Sequence, residues 1–138
     1  MRPVPRSLSD EPVVVLADDD PFVRTLFSRA LKNGGYRVRT AMDIMQAMTR
    51  LSEGPVFAAI VDMLFVNSAG LSGLDLLRWI RVQDRLKEIP VLLVTGFALN
   101  KTVTAEVEKW RGELWHKPLH LHALLQRLNT LRDPPMPN

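Results

Sequence analysis

The stretch "VVVLADDDPF", Val13 to Phe22, sets five apolar residues directly before three consecutive aspartates and a proline. Its apolar part is continuous rather than alternating and rich in β-branched residues, the signature of a strand covered on both faces of a parallel sheet. Carboxylates in succession repel one another, most strongly where burial strips away water. One of the three has an ordinary role. Asp20 stands before Pro21, and aspartate is a favoured N-cap while proline suits the first helical position. Asp18 and Asp19 are not explained that way.

Two further runs share the character of the first, Val56 to Val61 and Val91 to Val94. "YRVRT", Tyr36 to Thr40, alternates instead, with Arg37 and Arg39 on one face and Val38 on the other, as suits an edge strand. "ELWHK", Glu113 to Lys117, is a weaker fifth strand expected at the opposite edge. Helical spacing fills the intervals. Val23, Leu26, Phe27, Ala30 and Leu31 mark one face of a first helix that starts at Pro21 and stops at Gly34 and Gly35. Four more helices are expected over 43–52, 73–85, 101–111 and 119–131. Five strands alternating with five helices define an open α/β sheet with right-handed crossovers. Residues 13–132 form the expected domain, and the proline-rich segments 1–12 and 133–138 are expected to be tails or linkers.

A chain of 138 residues that is 46% hydrophobic suffices for one core. Without cysteine it has neither disulfides nor thiolate ligands. The net charge is +3 and the pI near 9.7, but the thirteen arginines are scattered, with no basic run interleaved with aromatics. That pattern is a solvated surface, and no direct nucleic-acid partner is expected. The start, "MRPVPRSLSDEP", lacks the apolar segment of a signal peptide, and no apolar run is long enough to cross a bilayer, so a soluble, cytoplasmic protein without membrane contact is expected.

Ligands of an open parallel sheet sit at the carboxyl ends of its strands. Asp18 and Asp19 close the first strand, Asp62 the third, Thr95 the fourth and Lys117 the fifth. If strands one and three are neighbours, about 4.8 Å apart, three carboxylates converge. A hard dication offsets their repulsion, and Mg²⁺ prefers such oxygen ligands while keeping waters for a phosphate. A carboxylate beside Mg²⁺ can attack phosphorus, with Lys117 supplying a point charge and Thr95 a hydroxyl to the equatorial oxygens. Each residue alone has an ordinary explanation: a loop aspartate, a strand-end threonine, a turn lysine before Pro118. Their placement at one end of one sheet carries the functional reading.

With these residues in place, the chain resembles the receiver domain of two-component response regulators, from "VVVLADDDPFVR" through "FAAIVDM", "GLDLLRWIR" and "IPVLLVTGFA" to "LWHKPL". The resemblance implies a flavodoxin-like, doubly wound five-stranded parallel sheet of order 2-1-3-4-5. It implies that Asp62 is the phosphoacceptor, that Asp18, Asp19, Asp62 and the backbone carbonyl of Leu64 hold Mg²⁺, and that Thr95 and Lys117 bind the phosphoryl group. It also implies a cis bond between Lys117 and Pro118. The implied donor is a histidine kinase or a histidine phosphotransfer protein. A downstream partner or a second copy of the chain would use the face formed by helix four, strand five and helix five. Leu114 and Trp115 are the candidate contact residues there.

The chain departs from the family pattern twice. "DMLFVNSAGLSG" lacks the family's proline after the phosphoacceptor and sets the glycine of "SGLDLL" about three residues late, so a longer loop is expected over the site. Leu114 stands where the family carries its switch aromatic, with Trp115 beside it. Leu64 and Phe97, two residues beyond Asp62 and Thr95, cannot orient water, and a long-lived phosphoryl group is expected. Two other functions share parts of this pattern. A haloacid-dehalogenase type of hydrolase needs "DxDxT", but Phe22 occupies the threonine position; a degenerate receiver would serve as a phosphorylation-independent binding module. His116, His120 and His122 read as surface residues without a metal role.

Overall fold

The computed structural model describes residues 10–65 and 68–133. Its elements run β1 (Val13–Ala17), α1 (Pro21–Asn33), β2 (Arg37–Ala41), α2 (Ile44–Leu51), β3 (Ala58–Asp62), α3 (Gly73–Arg81), β4 (Val91–Thr95), α4 (Lys101–Lys109), β5 (Glu113–His116) and α5 (Leu121–Arg132). All four strand pairings are parallel, in the order β2-β1-β3-β4-β5. The alternating strand is therefore an edge, and the weak fifth strand is the other. The expected tails lie outside the described residues apart from 10–12 and 133.

Every residue of β1, β3 and β4 is buried, as their unbroken apolar runs require. Alternate side chains feed two cores. Val15, Ala17, Ala59, Val61 and Leu93 pack under α2, α3 and α4 with Ile44, Leu77, Ile80 and Val107. Val14, Leu16, Ile60, Leu92 and Val94 pack under α1 and α5 with Phe27, Leu31, Leu124 and Leu128. Helix α1 begins as the sequence indicates: Pro21 is its first residue, and the Asp20 carboxylate accepts from the Phe22 amide at 2.9 Å. It ends where Gly35 takes φ +94°, which lets the Tyr36 amide return to the Leu31 carbonyl.

Two expectations are corrected. Leu26 is 42% exposed although its spacing matches the α1 core face, because Phe27 and Leu31 already fill the contact with the sheet. Helix α3 stops at Arg81 rather than Arg85. Beyond it the chain tightens into turns, with Gln83 N–H donating to Ile80, Leu86 to Gln83 and Ile89 to Leu86, which seat Leu86 and Ile89 in the core.

The Arg81 guanidinium fastens this region by donating to the carbonyls of Ile89 (2.7 Å), Trp110 (2.8 Å), Arg111 (2.9 Å) and Lys87 (3.2 Å). It joins the α3–β4 and α4–β5 connections at the end of the sheet away from the carboxylates. Arg81→Ala would remove charge-assisted bonds and strand carbonyls from which water is partly excluded. The expected loss is about 2–3 kcal/mol, read as a lower urea midpoint.

Candidate functional site

Parallel register aligns the carboxyl ends of the strands. Ala17 pairs with both Ala41 and Val61, and Asp62 pairs with Val94, so the residues after β1 and the last residue of β3 meet at one edge of the sheet. Oxygen atoms of Asp18, Asp19 and Asp62 all lie within 4.8 Å of one another. Mg–O bonds of about 2.1 Å put opposite ligands about 4.2 Å apart, so this all-oxygen trio fits such a cation with little movement.

The surroundings hold the carboxylates in place. Asp18 is 4% exposed and Asp62 8%. One Asp18 oxygen accepts from the Asp20 amide at 2.9 Å, and the Asp18 carbonyl accepts from Arg24 Nη1 at 2.8 Å. Burial, aided by the negative charge of Asp62, pushes the Asp18 carboxyl up from 3.8 to about 6, against the amide of Asp20 and the ammonium of Lys117. Asp62 itself has two partners. Lys117 Nζ stands 3.4 Å from Oδ2, and the Leu64 amide donates to Oδ1 at 3.2 Å.

Lys117 is aimed by its backbone, because its amide donates to the Thr95 carbonyl at 2.8 Å and extends the β4–β5 ladder past His116. The Lys117–Pro118 peptide is cis. Thr95 is fully buried, but its hydroxyl is turned into its own loop: it donates to the Phe97 carbonyl at 3.2 Å and accepts from the Phe97 amide at 3.1 Å. The structure thus joins Asp18, Asp19, Asp62 and Lys117, while the Thr95 side chain pairs with Phe97.

The sequence shows the late position of one further glycine but not its contact with the site. Gly73, the first residue of α3, lies against the Asp62 backbone so closely that a Cβ would stand 2.5 Å from the Asp62 carbonyl oxygen and 3.0 Å from Met63 Cα. The Gly73 amide donates to the Met63 carbonyl at 3.0 Å. Behind it, the Ser72 amide is capped by Asp75 at 2.7 Å. The longer loop after Asp62 is consequently anchored where it re-enters α3; its residues 66 and 67 lie outside the described residues.

Leu64 and Phe97 are exposed at the rim of the site. Leu114 and Trp115 are half-buried and point to opposite sides of the sheet, Leu114 against the core under α3 and α4, Trp115 against the core under α1 and α5. Trp115 Nε1 donates to Glu113, which also accepts from Arg127 of α5 at 2.7 Å. His116, His120 and His122 are exposed.

The doubly wound parallel sheet thus carries an acidic trio and a lysine at the carboxyl ends of its strands. Residues 14–129 match the family described as "Response regulator receiver domain", and the chain belongs to that family, a module of two-component signalling. It is similar to the "Photosynthetic apparatus regulatory protein RegA" of Cereibacter sphaeroides, 25% identical over 131 residues that cover 92% of this chain and 68% of that protein. "Chemotaxis protein CheY-3" of Vibrio cholerae is 25% identical, covering 86% of this chain and 89% of the relative. The "Putative response regulator NtrX-like" of Rickettsia felis is 28% identical over 107 residues, which cover 78% of this chain but only 22% of that longer protein. Among solved structures, Vibrio cholerae CheY4 has a TM-score of 0.77 at 24% identity, covering 88% of this chain and 98% of its own. That likeness establishes the fold.

Proposed function

We propose that the chain is a signalling switch that accepts a phosphoryl group on Asp62 from a phosphohistidine of a histidine kinase or a histidine phosphotransfer protein. The observation that carries this reading is the convergence of Asp18, Asp19 and Asp62 with Lys117 Nζ 3.4 Å from the Asp62 carboxylate. An Asp62 oxygen attacks phosphorus as the phosphorus–nitrogen bond to the donor imidazole breaks, and the departing imidazole takes up a proton. Lys117 pairs with one equatorial oxygen. Thr95 serves another only after its hydroxyl leaves the Phe97 carbonyl, so phosphorylation would pull on the loop into α4. Mg²⁺, held by Asp18, Asp19, Asp62 and the Leu64 carbonyl, would neutralise charge on the phosphoryl oxygens.

The chain acts in this reading as a signalling module that catalyses only its own phosphorylation and slow dephosphorylation. The receiver body is 13–132, and it works in the cytoplasm. No helix among the described residues is long and apolar enough to cross a membrane. The face of α4, β5 and α5, with Leu114 and Trp115, is proposed for a downstream protein or a second copy of the chain.

Transfer from a phosphohistidine donor tests the reading: label should move to this chain and be released by hydroxylamine, as an acyl phosphate is. A hydroxylamine-resistant label, or none in a folded sample, would favour a phosphorylation-independent binding module. The apolar rim yields a separate expectation. With Leu64 and Phe97 unable to deliver water, the label should decay slowly after the donor is removed, and Leu64→Glu should speed its loss by up to about 10²-fold, the lower end of what a positioned proton-transfer group contributes.

A further inference from the structure

Where α1 crosses the edge strand β2, the interface stops being apolar. Below this point Tyr36 and Val38 pack on the α1 side of the sheet. Above it, Thr40 pairs with Leu16, whose side chain belongs to the same α1-facing core, so a hydroxyl residue occupies an inward position. Ser28 lies opposite on α1. Its Oγ is shut off from solvent and has no hydrogen-bond partner, a costly state for a hydroxyl, and it reaches a ligand only when its side chain turns outward.

Beside these residues runs a groove of about 520 Å³, within the range of roughly 300–1,000 Å³ of small-molecule sites. Along one face of α1 it is lined by Arg24, Thr25, Ser28, Arg29 and Lys32, with Thr40 on the opposite wall, and no carboxylate contributes. Arg29 and Lys32 form no ion pair among the described residues, and both are exposed. Three cations with the hydroxyl residues Thr25 and Thr40, lining one groove without a neutralising acid, match a compact polyanion. Guanidinium forks engage phosphate oxygens bidentately, and hydroxyls donate to those that remain.

We propose that the α1–β2 groove binds a small di- or triphosphate anion, at a site separate from Asp62. Arg24 borders both regions, because its Nη1 holds the Asp18 carbonyl at 2.8 Å. An anion that recruits Arg24 therefore acts on the backbone of the acidic trio.

Titration of the metal-free protein with pyrophosphate at low salt, followed by amide NMR, tests this. Saturable shifts centred on Ser28 and Thr40 are expected. Affinity should weaken about tenfold or more in Arg29→Ala/Lys32→Ala, equivalent to losing a charge-assisted hydrogen bond, and should persist in Lys117→Ala. An ATP titration separates the sources: equal affinity assigns recognition to the phosphates alone, and tighter binding adds a nucleoside contact, both upholding the site. Shifts that never saturate, binding that survives the double substitution in a protein with an otherwise unchanged spectrum, or binding that disappears in Lys117→Ala would overturn it.

Discussion

Gly73→Ala is expected to destabilise the protein by about 2 kcal/mol and to slow phosphorylation of Asp62 by about 10²-fold. A Cβ at this position would stand 2.5 Å from the Asp62 carbonyl oxygen, with Met63 Cα at 3.0 Å. Both obstacles are backbone, so no flexible side chain can swing aside. Either α3 retreats from the sheet, losing the packing of Leu74, Leu77 and Ile80, or the end of β3 moves. The second route displaces Asp62, the proposed phosphoacceptor, relative to Asp18 and Lys117, and a shift of about 1 Å at a reacting group costs about two orders of magnitude in rate. Urea unfolding and initial rates with acetyl phosphate measure the two effects. Unchanged stability together with an unchanged rate would show that α3 does not rest on the site.

Asp18→Asn should have opposite effects on fold and function. Burial keeps the Asp18 carboxyl at about 6 in the folded protein, against 3.8 ordinarily. A raised carboxyl favours folding fully below 3.8, and that contribution is lost as pH rises through about 6. Metal-free wild type should accordingly lose stability across this window, by at most about 3 kcal/mol. The asparagine variant carries no such charge, and its oxygen can still accept from the Asp20 amide. In EDTA at pH 8 it should melt higher than wild type, and Mg²⁺ should neither raise its melting temperature nor support phosphorylation. A variant that melts lower in EDTA would mean that the trio is not under electrostatic stress.

The parts of this arrangement that depend on local chemistry were legible in the sequence. Asp20 and Pro21 mark the start of α1, continuous apolar runs mark the inner strands, and the alternation of "YRVRT" marks an edge. Aspartates at the ends of two runs then meet once those strands neighbour each other. Features decided by tertiary contact were not legible. The helical spacing around Arg81 to Arg85 gives no hint that Leu86 and Ile89 enter the core through tight turns. Leu26 fits the apolar period of α1, yet Phe27 and Leu31 take the available sheet surface. The contact of Gly73 with the Asp62 carbonyl, and the engagement of the Thr95 hydroxyl by Phe97, arise only when distant segments or a folded loop fix the backbone. Arg29 and Lys32 are exposed, as scattered surface cations should be, but that they line one groove with Arg24 and Thr40 follows only from the packing of α1 on β2.

The most direct test of the central claim is the intact mass of the protein after incubation with acetyl phosphate, with and without Mg²⁺, for wild type and for Asp62→Asn. The expected result is a gain of one phosphoryl group that requires Mg²⁺ and is absent in the variant. An equal gain in Asp62→Asn, or no gain in folded wild type under either condition, would contradict it.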